Sequence, residues 1–195
     1  VDSDVGRIPD PKASEKKVTA IGFESSDGLK QILVLRHSNT EEGINDLSPD
    51  IKITFYDENK EKNMILDAFK IVQQYPLLIT YNGDGFDLPY LYNRAERLGI
   101  GKENNPFYMM RDSATLRKGV HLDLYRTMSN RAFQIYAFGQ KYNDFSLNSV
   151  SIGLLNEKKI DYGMDIGDLT LYQTAKYCQN DARLTYKLTS FDNDL

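Results

Sequence analysis

A single cysteine, Cys178, leaves the chain without an internal disulfide framework and without a cysteine-rich zinc site. That usage fits a reducing compartment, and the cytoplasm is the expected location. Histidine is almost as scarce. His37 and His121 are the only two, and neither stands in a ligand-spaced cluster, which argues against a histidine zinc centre. No apolar run is long enough to span a bilayer, so membrane and secretory readings fall away. An excess of positive charge is missing too. With 24 Lys and Arg against 28 Asp and Glu, the net charge of −4 argues against a chain that wraps nucleic acid by bulk charge. It does not exclude a nuclease, because enzymes that cut phosphodiesters with divalent cations gather carboxylates and let the metals face the phosphate. The local basic groups at Lys12, Lys16 and Lys17, at Arg111, Arg117 and Lys118, and at Lys158 and Lys159 read as solvated faces.

What is present describes one globular domain of 195 residues, 41% hydrophobic and 27% charged, with 13 tyrosines and no internal repeat. The first seventeen residues are polar, carry Pro9 and Pro11, and read as an extended loop. The stretches 18–23 and 31–35, separated by a turn at Ser25-Ser26-Asp27-Gly28, predict an antiparallel hairpin, and 51–55 a third strand. Met64, Ile65, Ala68, Phe69, Ile71 and Val72 keep helical spacing, so a helix over 59–74 leads into a strand at 76–80. A helix follows over 87–98, and 120–125 reads as one more strand. Helices are expected over 127–137, 146–155 and 169–188. The sum is an α/β fold, a mixed sheet flanked by helices.

The informative stretch is Tyr81-Asn82-Gly83-Asp84-Gly85-Phe86-Asp87-Leu88-Pro89-Tyr90-Leu91. It places a carboxylate, Asp87, where an apolar strand has ended and a helix with Pro89 in its first turn begins, the position at which α/β enzymes build sites. Far downstream, Tyr177 and Asp181 stand at i and i+4, on one face of the last helix. Metal-assisted phosphodiester chemistry needs several converging carboxylates, and a phenol one turn before Asp181 is placed to hold an attacking water. On spacing alone the Tyr-x-x-x-Asp pair is weak, and a surface pair is the stronger reading. Asp84 has the look of an extra ligand but suits turn or cap hydrogen bonds better. Asp123 suits a structural hydrogen bond to a neighbouring loop.

The segment 81–91 closely resembles the second exonuclease motif of archaeal family B DNA polymerases, and Tyr177-x-x-x-Asp181 resembles the third. His121-Leu122-Asp123-Leu124-Tyr125, Phe145-Ser146-Leu147-Asn148-Ser149-Val150 and the opening Gly6-Arg7-Ile8-Pro9-Asp10-Pro11 fit the same proofreading domain in order and separation. The resemblance covers essentially the whole chain. It implies a ribonuclease H-like exonuclease fold that removes nucleotides from a DNA 3′ end with two Mg²⁺ or Mn²⁺ ions. Asp87 and Asp181 carry over as metal-binding carboxylates, Tyr177 as the water-orienting phenol, and Asn82 and Phe86 as contacts to the terminal nucleotides. The implied partners are single-stranded DNA at a primer terminus and the polymerase domains of a parent chain.

The same resemblance calls for a first motif, Asp-x-Glu on a strand, ahead of the opening loop. That strand is absent from the sequence, so residues 1–195 are expected to be one exonuclease domain that is incomplete at its N-terminus and impaired as a nuclease. Asp2, Asp4 and Glu24 are weak substitutes for the missing acids. Removing a sheet strand exposes unpaired edges; the expectation is that another segment replaces it or that the fold is poorly stable. Two other functions stay open: a non-catalytic module that binds single-stranded DNA or serves as a scaffold, and a stand-alone nuclease that trims RNA or DNA ends.

Overall fold

Strand β2, Lys30–Leu35, ends in four consecutive buried residues. Such a run suits a strand covered on both faces, and alternation along it feeds two cores. Leu33 and Leu35 join Met64, Ile65 and Phe69, while Ile32 and Val34 join Leu171 and Ala175. β2 is therefore the centre of a three-stranded mixed sheet. β1, Ala20–Glu24, pairs with it antiparallel, from Ala20 opposite Val34 to Glu24 opposite Lys30; β3, Lys52–Tyr56, pairs with it parallel. The computed structural model describes residues 9–37, 40–111 and 114–190.

Helix α1, Glu61–Gln73, follows a 3-10 turn at Glu58–Lys60 and buries the stripe Met64, Ile65, Ala68, Phe69 and Val72. It leads to β4, Leu77–Thr80, and then to α2, Asp87–Arg97. β4 belongs to a second sheet, pairing parallel with β7, Val120–Asp123, so that Thr80 lies opposite Asp123. Between them β5, Phe107–Met109, and β6, Ala114–Leu116, form a hairpin of three-residue strands that hydrophobic periodicity does not reveal. The last helix, α5, Leu171–Lys187, opens with a reciprocal cap in which Thr170 Oγ1 accepts from Gln173 N and the Gln173 side chain accepts from Thr170 N.

The helix expected over 127–137 divides in two. Asp123 accepts from the Tyr125 amide and starts α3, Leu124–Met128, three residues early; after Ser129 and Asn130 the chain continues into a π-helical turn, Phe133–Ala137. α4, Leu147–Leu155, begins at the Ser146 cap. Among the described residues, no helix is long and apolar enough to cross a membrane.

The molecule is a mixed α/β fold, and its sheets are small. β1 pairs only with β2, and β4 only with β7, among the described residues. The free edges of β1 and β4 both line one cavity of about 1340 Å³. Its remaining walls come mainly from α1, α2, α3 and α5.

Candidate carboxylate site

The loop after β4 is folded by its own backbone. Asn82 takes φ 62, a left-handed conformation that Asn tolerates, and its carbonyl accepts from the amides of Gly85 and Phe86. Gly83 leaves no room for a side chain, since a Cβ there would stand 2.3 Å from Thr80 Oγ1. Asp123, at the end of the neighbouring strand, ties the loop down by accepting from Asn82 N at 2.7 Å and Asp84 N at 2.9 Å. These contacts start α2 at Asp87.

Asp87 lines the cavity and is exposed to it, although its carboxyl stands deep among protein atoms. That enclosure, with Asp123 and Asp181 as nearby like charges, pushes its pKa up to about 6. The first-turn position favours the ionised form and works against the shift.

Asp181 comes from the opposite wall. α5 packs on β1 closely enough that a Cβ at Gly22 would lie 3.0 Å from both Cys178 O and Cys178 Sγ. One turn of α5 carries Tyr177, Cys178 and Asp181 along the same cavity. Burial raises the Asp181 carboxyl above the usual carboxylate range, and Lys159 opposes the rise. Asp181 Oδ2 lies 2.8 Å from Lys159 Nζ, while Oδ1 has no hydrogen-bond partner among the described residues. The same ammonium sits 4.9 Å from the centre of the Tyr177 ring.

Lys159, grouped in the sequence with solvated basic residues, is thus part of the site. Its pKa is raised, because Asp181 and Tyr177 together outweigh the burial that works against its charge. The loop that carries it is fastened at Lys159 itself and at the next residue: Lys159 N donates to Asn148 Oδ1, and Ile160 N donates to Oδ1 of Asn180, beside Asp181. No local motif marks it, since it meets Asp181 across a loop and a 3-10 turn.

Phe86 and Asn82 stand at the cavity mouth. Phe86 is half-buried, its ring 5.4 Å from that of Tyr90, and Asn82 is exposed. Asp84 is engaged elsewhere, accepting from Ala114 N at 3.0 Å and Arg126 Nε at 2.6 Å. Glu24, at the end of β1, also lines the cavity; burial raises its carboxyl, and Oε2 has no hydrogen-bond partner among the described residues. Asp2 and Asp4 lie outside the described residues. Among the described residues, no three His, Cys, Asp or Glu side chains form a group that could hold a metal.

The sequence matches the family described as DNA polymerase family B, exonuclease domain, over residues 1–150. The chain belongs to that family. DNA polymerase 1 of Aeropyrum pernix is 37% identical over 189 residues, covering 97% of this chain and 20% of the relative. DNA polymerase 1 of Saccharolobus solfataricus is 38% identical over 191 residues, covering 97% and 21%. The DNA polymerase of Methanocaldococcus jannaschii is 32% identical over 142 residues, covering 67% and 8%. The chain thus spans about a fifth of the length of the first two relatives. The family match includes Asn82, Phe86 and Asp87; Tyr177 and Asp181 lie beyond it.

Proposed function

We propose that this chain is a 3′-to-5′ DNA exonuclease domain of a family B DNA polymerase, working on a single-stranded 3′ end at a primer terminus beside the polymerase domains of its parent chain. The observation that carries the reading is the meeting of Asp87 and Asp181 at one cavity, the first with its pKa pushed up by burial and then by like charges, and the second with an oxygen that has no hydrogen-bond partner among the described residues. Two such carboxylates fit a divalent cation, Mg²⁺ or Mn²⁺, with Asp87 and Asp181 as its holders. When bound, the metal supplies positive charge for the phosphate and a more acidic water. Tyr177 presents its hydroxyl to orient that water. Phe86 offers a ring face to the terminal base, and Asn82 an amide to the terminal nucleotide. Lys159 keeps the Asp181 side ionised by placing a cation against it.

The finer fold is ribonuclease H-like. A strand seated between the free edges of β1 and β4 joins the two sheets in the order β3-β2-β1-strand-β4-β7, and two acids on that strand complete the carboxylate set. The non-catalytic reading draws on the lack of a three-ligand group among the described residues. Digestion of 5′-labelled single-stranded DNA in Mg²⁺ or Mn²⁺ separates the two. A ladder that is lost in Asp87→Ala and Asp181→Ala, and slowed in Tyr177→Phe without loss of metal binding, supports the exonuclease. Should the protein stay inactive when a peptide with Asp-x-Glu between apolar residues is added, and should that peptide leave its melting temperature unchanged, the reading fails.

A further inference from the structure

The net-acidic chain has its longest acid-free stretch just after Asp123. From 124 to 143 it contains no Asp or Glu, three cations and five aromatic residues. The stretch folds as α3 and the π-helical turn, which pack on each other. Three of its rings face water instead of the core: Tyr136 is 88% exposed, Phe133 48% and Tyr125 37%. Arg131 and Lys141 are exposed beside them, and Arg131 borders a polar recess of about 200 Å³ with Gln140 and Asn143. Arg126 is already paired with Asp84, so Arg131 and Lys141 are the cations set beside these exposed rings, and a surface of rings and cations repels neither a base nor a phosphate.

This surface continues from the site. Asp123 both holds the Asn82 loop and caps α3, and the Tyr125 ring packs 6.2 Å from that of Tyr81. We propose that the face formed by Tyr125, Phe133, Tyr136, Arg131 and Lys141 is a track for single-stranded nucleic acid, stacking the bases upstream of the 3′ end. The proposal rests on the exonuclease reading of the cavity and adds a second region of contact. The rings select a single strand because paired bases are closed to side-chain stacking, and they read no sequence because every base has a π-face.

Binding of labelled oligothymidylate in EDTA tests it, with a tetramer that reaches only the cavity mouth and a dodecamer that also reaches the track. Tyr136→Ala and Phe133→Ala each weaken the dodecamer about five-fold or more and leave the tetramer unchanged, while Tyr136→Phe keeps full affinity. Arg131→Ala lowers the slope of log K against log salt by about 0.7. Unchanged dodecamer binding in all three alanine variants, with Phe86→Ala still weakening the tetramer, overturns the track, leaves the exonuclease reading standing and assigns the face to a protein neighbour. A protein that binds neither oligomer overturns both.

Discussion

Arg94 and Glu61 form an ion pair at the joint between α1 and α2, and its removal gives a stability effect large enough to be decisive. Arg94 is 8% exposed and Glu61 4%. The guanidinium donates in a fork, Nε to Glu61 Oε1 at 2.8 Å and Nη2 to Oε2 at 2.7 Å, and Nη1 reaches the carbonyls of Ser14 and Glu15. Glu61 Oε1 also accepts from Val18 N at 2.8 Å, so the pair fixes the segment that enters β1. Arg94→Met strands a buried carboxylate and two carbonyls, which costs about 3–5 kcal/mol. At about 2–4 °C per kcal/mol for a domain of this length, the melting temperature falls by about 6–20 °C. Adding Glu61→Met removes the orphan charge and recovers most of the loss, leaving about 1–3 kcal/mol for the unpaired Val18 amide and the Ser14 and Glu15 carbonyls. Denaturant melts of the two single variants and the double variant measure the cycle. A single-variant cost below about 1 kcal/mol, or a double variant as costly as the sum of the singles, refutes the assignment.

Asp87 binds its proton more tightly folded than unfolded, because its pKa is raised to about 6 from the ordinary 3.8. Its contribution to stability is complete below pH 4 and is lost as pH rises through about 6, so Asp87→Asn flattens the fall in stability across that window; an unchanged slope contradicts the raised value. Lys159→Met removes the cation that holds Asp181 down, and a carboxyl-carbon NMR titration finds the Asp181 pKa higher still; a drop shows that Lys159 faces another group. Gly22→Val drives a side chain into Cys178 and lifts α5 from β1, destabilising the fold by about 1–3 kcal/mol, whereas a wild-type melting curve places the helix farther off.

Periodicity told α1 from a strand because its apolar stripe repeats over three turns, and β2 stood out as an unbroken apolar run between polar turns. β5 and β6 escaped notice because three residues carry no period. The split of the sheet was equally hidden: pairing register is a long-range property, and β4 reads the same whether its neighbour is β7 or β1. Asp87 was legible because strand end and helix start are both local signals. Lys159 was not, since its partner comes 22 positions later and only the folding of the intervening loop brings ammonium and carboxylate together.

The two carboxylates are carried by elements of different sheets. Asp87 travels with β4 and α2, whereas α5 carries Asp181 on β1 and β2 and touches β4 lightly. No ladder hydrogen bond joins those sheets among the described residues, so the gap between the acids is set, like that between the jaws of a caliper, by the side-chain core that α1 and α2 share with β2. A cation gripped by both would act as a clasp. By linkage, every kilocalorie the clasp gains from holding the jaws together returns as resistance to their parting, so metal affinity and the stiffness of the cavity rise and fall as one quantity.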